Sequence, residues 1–482
     1  MTQYDQLEPQ AIWQIFGAMS QVPRGSGNEA GVMQMLRGWA QKRGLGVKAD
    51  AVGNLLISIP ATPGHEGAAP LLIQGHVDMV CEKNAATKHD FAKDPIRIVV
   101  DGDYVKADGT TLGADNGIGC AMGLALAVDP SAVHGPVEIL LTVDEERGLT
   151  GAAGVQAGFF TARRMINLDS EEDDAIFIGC AGGRDTRFTL RLTQAKAPKE
   201  SAGRKIVITG LQGGHSGLDI NRNRGNAIKI LTRLLLTAAE EMELRVVAVD
   251  GGKMRNAIPR EATGTVVIPA AKGRAFKQRI DALSAKIKAE LEGIADGFAV
   301  KVSTVQAPRC FSKESTRSLL NLMSAIPNGV LAMSQAIPGL VETSSNLGVA
   351  RTEGAKVELV CCSRSSVMSA LEALVQQHRA LGVLAGAEIE QPAGYPGWKP
   401  NPKSELLDVV KRKFADQFGH EPELKAVHAG LECGLLTEKY PDLDIVSFGP
   451  NLYAVHSPDE KVSISSVGKV WGLLKAVAAD LA

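Results

Sequence analysis

Histidines and acids stand at the ends of several short apolar runs, at spacings that suit metal coordination and proton transfer. The segment LLIQGHVDMV closes one such run with His76 and Asp78, two residues apart. Side chains alternate along an extended backbone, so both would leave a persisting strand on one side and reach the same object. The plainer alternative is a strand end whose polar groups cap a loop. In LLTVDEERG a second run ends in Glu145 and Glu146. Adjacent side chains on an extended backbone diverge, which would let one carboxylate hold a metal while the other faces a water. Asp169 in INLDS repeats the pattern, with a turn-initiating aspartate as its alternative. Asp115 in GTTLGADNGIGCAMGLAL sits in a glycine-rich turn before an apolar helix, where an N-cap is the alternative. His456 lies in FGPNLYAVHSPDE, before a Ser-Pro-Asp turn expected to start the last helix. Two imidazoles and several carboxylates without a thiolate suit zinc, manganese or cobalt. Two ions roughly 3.5 to 4 Å apart need a shared carboxylate between them, and Asp115 is the natural bridge.

These groups need a scaffold that gathers strand ends. Helical spacing in PQAIWQIFGAMS and EAGVMQMLRGWAQKRG alternates with the short apolar runs NLLISIP, PLLIQGH, PVEILLTVDEE and RMINLDS. That alternation predicts an α/β domain with a sheet buried between helices, and such folds collect ligands beyond the carboxyl ends of their strands. From about Arg184 the texture changes to alternating strands and longer helices, until QPAGYPGWKPNP reads as a linker returning the chain to the first domain. The expected division is residues 1–184 and 393–482 in one domain, with 185–392 inserted.

A chain of 482 residues is long enough for two domains. A formal net charge of −2, with no basic cluster interleaved by aromatics, argues against a nucleic-acid partner. Seven cysteines without paired C-x-x-C spacing argue against a disulfide framework or a zinc knuckle and for reduced thiols in the cytoplasm. The first residues lack a basic stretch followed by an apolar one, and no apolar run is long enough for a membrane span. A dinucleotide site at GIGCAMG fails because Met122 stands where the third glycine belongs.

Taken together, GHVDMV, GADNG, DEERG, LDSEE and HSPDE, with GGHSG, RNAIPR and HAGLECG, resemble the M20 metallopeptidases in their aminoacyl-histidine dipeptidase branch. The resemblance runs over essentially the whole chain. It implies a di-metal catalytic domain interrupted by an α+β lid domain that mediates homodimerisation. One ion, zinc first and manganese or cobalt as alternatives, would take His76, Asp115 and Asp169. The other would take Asp115, Glu146 and His456. Asp78 would orient His76, and Glu145 would be the general base toward a water between the ions. An aspartate at position 169, where carboxypeptidase relatives tend to carry glutamate, favours substrates with a free amine.

The same resemblance makes His215 an oxyanion donor, supplied within or across subunits, and Arg364 with Asn256 the holders of the substrate carboxylate. Gly430 would leave room for the substrate or meet its amine, with His428 and Glu432 as weaker candidates nearby. The implied activity is hydrolysis of unblocked dipeptides, Xaa-His and β-alanyl-histidine among them. The alternatives are an N-acyl-amino-acid deacylase of the same family and a catalytically silent metal-binding scaffold. Glu145 argues against the scaffold, since holding metal does not require it.

Overall fold

The computed structural model describes residues 3–335 and 337–482. The chain forms two compact units, one of residues 1–179, 398–426 and 431–482, the other of residues 180–397 and 427–430.

The first unit is built on an eight-stranded sheet. From edge to edge it runs Gly46–Ala49, Leu55–Ile59, Val137–Thr142, Leu71–His76, Arg164–Asn167, Asp444–Ser447, Ala175–Cys180 and Glu423–Val427. Its four central strands are parallel to one another, and the strands flanking them are antiparallel. Leu71–His76 and Val137–Thr142 are buried at every position, which is why their sequences read as unbroken apolar runs rather than alternating ones. Helices Gln10–Ser20, Ala30–Gln41, Ala114–Ala125, Glu405–Phe418 and Ile464–Asp480 bury their apolar faces in this unit. Because the central strands are parallel, their carboxyl ends lie at one edge of the sheet, and His76 ends one of them.

Two local expectations are corrected. Glu145 and Glu146 do not extend a strand: the strand stops at Thr142, Asp144 takes a left-handed φ of 54°, and Glu145–Gly148 is a single helical turn. Neighbouring side chains on a helix point about 100° apart, so the pair still diverges. The Ser-Pro-Asp turn does not start the last helix either, because a short strand, Lys461–Ser463, intervenes before Ile464.

In the second unit a nine-stranded sheet orders Ala299–Val305, Ser201–Thr209, Ala262–Pro269, Arg245–Gly251, Val341–Glu353, Lys356–Ser365, Gly182–Arg191 and Glu388–Glu390, with Gly329–Met333 added against Val341–Glu353. These pairings are antiparallel. From Lys205 to Thr209 the strand alternates buried and more open positions, the mark of a sheet covered chiefly on one face. Its cover includes Ala227–Glu241, Gly273–Glu290 and Lys313–Ala325, through a core that holds Phe276, Phe311 and Leu347. Among the described residues no helix is long and apolar enough to cross a membrane.

Candidate metal centre

The strand Leu71–His76 delivers His76 fully buried at its last position. Asp78 lies just beyond, also buried, with Oδ1 3.3 Å from His76 Nδ1. Its carboxylate accepts the backbone N–H of Glu145 at 3.1 Å and of Glu146 at 3.2 Å, and the Ser26 hydroxyl at 2.8 Å. Asp78 therefore fixes the imidazole and ties it to the turn carrying the two glutamates. Burial opposes its charge, but His76 and these donors outweigh burial and hold the carboxyl at about 2.

Asp115 depends on a different device. Glu460, almost fully buried, accepts the backbone N–H groups of Leu112, Gly113, Ala114 and Asp115 at 2.7 to 3.3 Å, shaping the turn before the helix. Gly113 takes a left-handed φ of 69° there, a conformation that costs glycine nothing. Arg24, buried in full, donates to the carbonyls of Val77, Asp78 and Gly113 and so joins the His76 and Asp115 loops. Asn116 donates to Leu168 O at 2.6 Å, which anchors the approach to Asp169. Gly75 permits this packing, because a Cβ there would fall 2.3 Å from Asn116 Oδ1.

The result is two groups that meet at one carboxylate. Asp115 Oδ1 lies 3.1 Å from His76 Nε2, which is 3.3 Å from Asp169 Oδ1. Asp115 Oδ2 lies 3.2 Å from His456 Nε2, which is 3.0 Å from Glu146 Oε2. His456 reaches this position from a left-handed φ of 61°. Atoms bound to one tetrahedral ion at about 2.0 to 2.1 Å stand roughly 3.3 Å apart, and the gaps here are of that size. Ligand atoms of His76, Asp115 and Glu146 all lie within 4.8 Å of one another. Asp169 Oδ1 is buried with no hydrogen-bond partner among the described residues.

The electrostatics also call for a cation. Burial disfavours the charged form of His76, yet Asp169, Asp115 and Asp78 raise its pKa well above the usual imidazole value. Hydrogen bonds to Asp115 and Glu146 raise that of His456 to about 11. Burial, with Asp115 and Glu146 adding, pushes Asp169 up to about 6 against the pull of His76. Protons are thus drawn to the place where a divalent ion would supply the same charge. These donors fit a pair of hard or borderline ions. Glu145 stands beside this set and is raised well above the ordinary glutamate range, by burial first and then by Asp169, Glu432 and Glu146.

Of the remaining candidates Glu432 lies in the first unit, bonded to Gln74 and Thr142, and the others lie in the second. The Gly214–His215 strand pairs with Ala257–Ile258, and Ser216 N–H donates to Asn256 O at 2.8 Å, which sets Asn256 next to the histidine loop. His215 Nδ1 accepts two backbone N–H groups, from Gly217 and Leu218, and Nε2 lies 3.4 Å from the Arg364 guanidinium. Arg364, buried, donates to the Tyr395 hydroxyl at 2.8 Å. A Cβ on Gly430 would fall 2.7 Å from the Tyr395 ring, so only glycine fits beside it. His428 pairs its Nε2 with Ser344 Oγ at 2.7 Å.

No sequence motif assigns a role to Arg24, Ser26, Glu460 or Tyr395. Glu460 stands inside the HSPDE motif, which was a usable signal for its region, and the others carry none.

The Peptidase family M20/M25/M40 model matches residues 72–480. The chain belongs to that family. It is 42% identical over 482 residues to the cytosol non-specific dipeptidase of Escherichia coli strain K12, covering all of this chain and 99% of that one. The crystal structure of aminoacylhistidine dipeptidase from Vibrio alginolyticus is 41% identical, with a TM-score of 0.94 over 99% of this chain and 98% of that one. A tripeptidase structure from Staphylococcus aureus, 15% identical over 98% of this chain and 99% of its own, shares the fold at a TM-score of 0.57. The family's mixed α/β architecture is the one seen here.

Proposed function

We propose that this M20 enzyme is a metallodipeptidase that hydrolyses unblocked dipeptides of broad sequence, with Xaa-His and β-alanyl-histidine among its candidate substrates. The observation that carries the reading is the division of Asp115, whose two oxygens address His76 with Asp169 and His456 with Glu146 respectively. The full-length likeness to two named dipeptidases supports it.

His76, Asp115 and Asp169 would hold one divalent ion, and Asp115, Glu146 and His456 the other, with zinc the first choice and manganese or cobalt compatible with the donors. When bound, such ions polarise the scissile carbonyl and make a water acidic near neutral pH. Glu145 would take a proton from the attacking water and pass it to the departing amine, a task that requires a carboxylate outside the ligand set. Asp78 keeps the His76 imidazole in one orientation. His215 Nε2–H, its other nitrogen occupied by backbone donors, is the proposed oxyanion donor. Arg364 would receive the substrate's C-terminal carboxylate through paired hydrogen bonds, Asn256 would add a polar contact, and Gly430 would leave space for the peptide. A cytoplasmic homodimer formed through the second unit completes the proposal.

The test is hydrolysis of Ala-His by purified protein, stripped of metal and reconstituted with zinc or manganese, beside Glu145→Ala. Metal-restored cleavage that disappears in the variant, with metal content retained, is expected. Cleavage of N-acetylated but not free substrates would make the protein a deacylase, and cleavage of neither would leave a silent scaffold.

A further inference from the structure

Beneath the proposed centre runs a row of buried polar side chains that the mechanism does not use. Thr142, Gln74, Asn167 and Ser447 sit near the carboxyl ends of four adjacent strands, each at most 1% exposed. Asn167 is the direct cross-strand partner of both Gln74 and Ser447. Gln74 precedes His76 by two residues on the same face of its strand, and Asn167 precedes Asp169 by two.

The hydrogen bonds along this row all run one way. Ser447 Oγ donates to Asn167 Oδ1 at 2.6 Å, so its contact with Ser170 Oγ at 2.7 Å must be one in which Ser170 donates. Asn167 Nδ2 then donates to Gln74 Oε1 at 2.6 Å, and Gln74 Nε2 to Glu432 Oε2 at 2.6 Å. Thr142 Oγ1 reaches the same Glu432 oxygen at 2.6 Å. A chain whose every member donates toward one end needs an acceptor there that has no hydrogen to give back. Glu432 is that terminus, completely buried, and its second oxygen, Oε1, has no hydrogen-bond partner among the described residues. A buried carboxylate left half-satisfied is costly on stability grounds alone, so its retention at this place points to the site above it.

We propose that Glu432 is a positioning residue for the metal centre: it anchors the one-way chain from Ser170 through Ser447, Asn167 and Gln74, and that chain sets the spacing of His76 and Asp169. The inference rests on the metal reading above. Outer hydrogen-bond partners of ligands are typically worth about 10- to 100-fold in metal affinity. Glu432→Gln can still accept from Gln74 and Thr142 through its amide oxygen, whereas Glu432→Ala cannot.

The experiment is competition for zinc against a chromogenic chelator, at a temperature well below melting, with thermal melting and Ala-His kinetics measured alongside. Glu432→Ala is expected to weaken one of two zinc ions about 10-fold or more and to lower kcat with little change in KM. Glu432→Gln should recover most of the affinity. Ser447→Ala, at the far end of the row and a mild change that guards against misfolding, should weaken the same ion several-fold, and the double variant should lose less than the product of the two single losses. Wild-type zinc affinity in Ser447→Ala and in folded Glu432→Ala, whatever their melting temperatures, overturns the inference and leaves the metal reading intact. Failure of the wild-type protein to bind zinc overturns both.

Discussion

In the first unit His76 and His456 are surrounded by carboxylates and drawn toward the charged imidazolium, whereas in the second His215, His378 and His428 are all held below the ordinary imidazole range. The cause differs as well as the sign. His76 is drawn toward the charged form in spite of burial, because Asp169, Asp115 and Asp78 surround it. His428 is pushed down to about 3 by burial, with Arg364 and His215 adding to the effect. One cluster presents negative charge in want of a cation, and the other presents a guanidinium and neutral imidazoles that favour an anion.

The largest effect should come from the residue on which both ligand groups depend. Asp115→Ala is expected to lose both ions and abolish turnover, while His456→Ala keeps one ion, as read by metal analysis after gel filtration. If the two variants lose metal equally, the two-group picture of the first unit is broken. Next in size is Glu145→Gln, expected to lower kcat by about 10²- to 10⁴-fold with metal content unchanged.

On the anion-seeking side, Arg364→Ala should raise KM for Ala-His by roughly 10- to 100-fold, the worth of one or two charge-assisted hydrogen bonds. It should leave turnover of the corresponding dipeptide amide near wild type. Equal losses on acid and amide would mean that Arg364 serves the fold and not a carboxylate.

The last effect concerns stability and not turnover. Burial lowers His378 to about 4, while an unfolded imidazole takes its proton near 6.5. The native state therefore resists protonation that the unfolded chain accepts, and stability is lost as pH falls from about 6.5 to 4. The amount is about 3 kcal/mol at most for this residue. His378→Gln should flatten the pH dependence of denaturant midpoints over that window, and an unchanged slope would remove His378 from the account.

Much of the centre was legible because strand ends in a parallel sheet converge, and a strand end is marked in sequence by an apolar run that stops at a polar group. His76, Asp169 and the two glutamates follow that rule. The backbone of Glu145 and Glu146 was misread, because a left-handed Asp144 that turns strand into helix has no signature in VDEE. Arg24 and Glu460 were beyond reach for a different reason. The guanidinium of Arg24 is spent on carbonyls 53 to 89 residues away, and Glu460 collects N–H groups from 345 to 348 residues earlier. Neither pairing is periodic, so no local pattern announces it. The polar row ending at Glu432 is hidden in the same way, since Gln74 and Glu432 are 358 residues apart.

The hold of Glu460 on the Asp115 turn also bears on the order in which a ribosome makes the molecule. Asp115 and His456 are separated by 341 residues, and the whole second unit is translated between them. A nascent chain emerging at about 5 to 20 residues per second presents Asp115 many seconds before either His456 or Glu460 exists. During that interval the turn lacks the carboxylate that shapes it, and Asp115 Oδ2 and Glu146 lack the imidazole they later meet. A chain cut short before His456 would carry Asp115, Glu146 and Asp169 without the histidine and the buried glutamate that complete their surroundings.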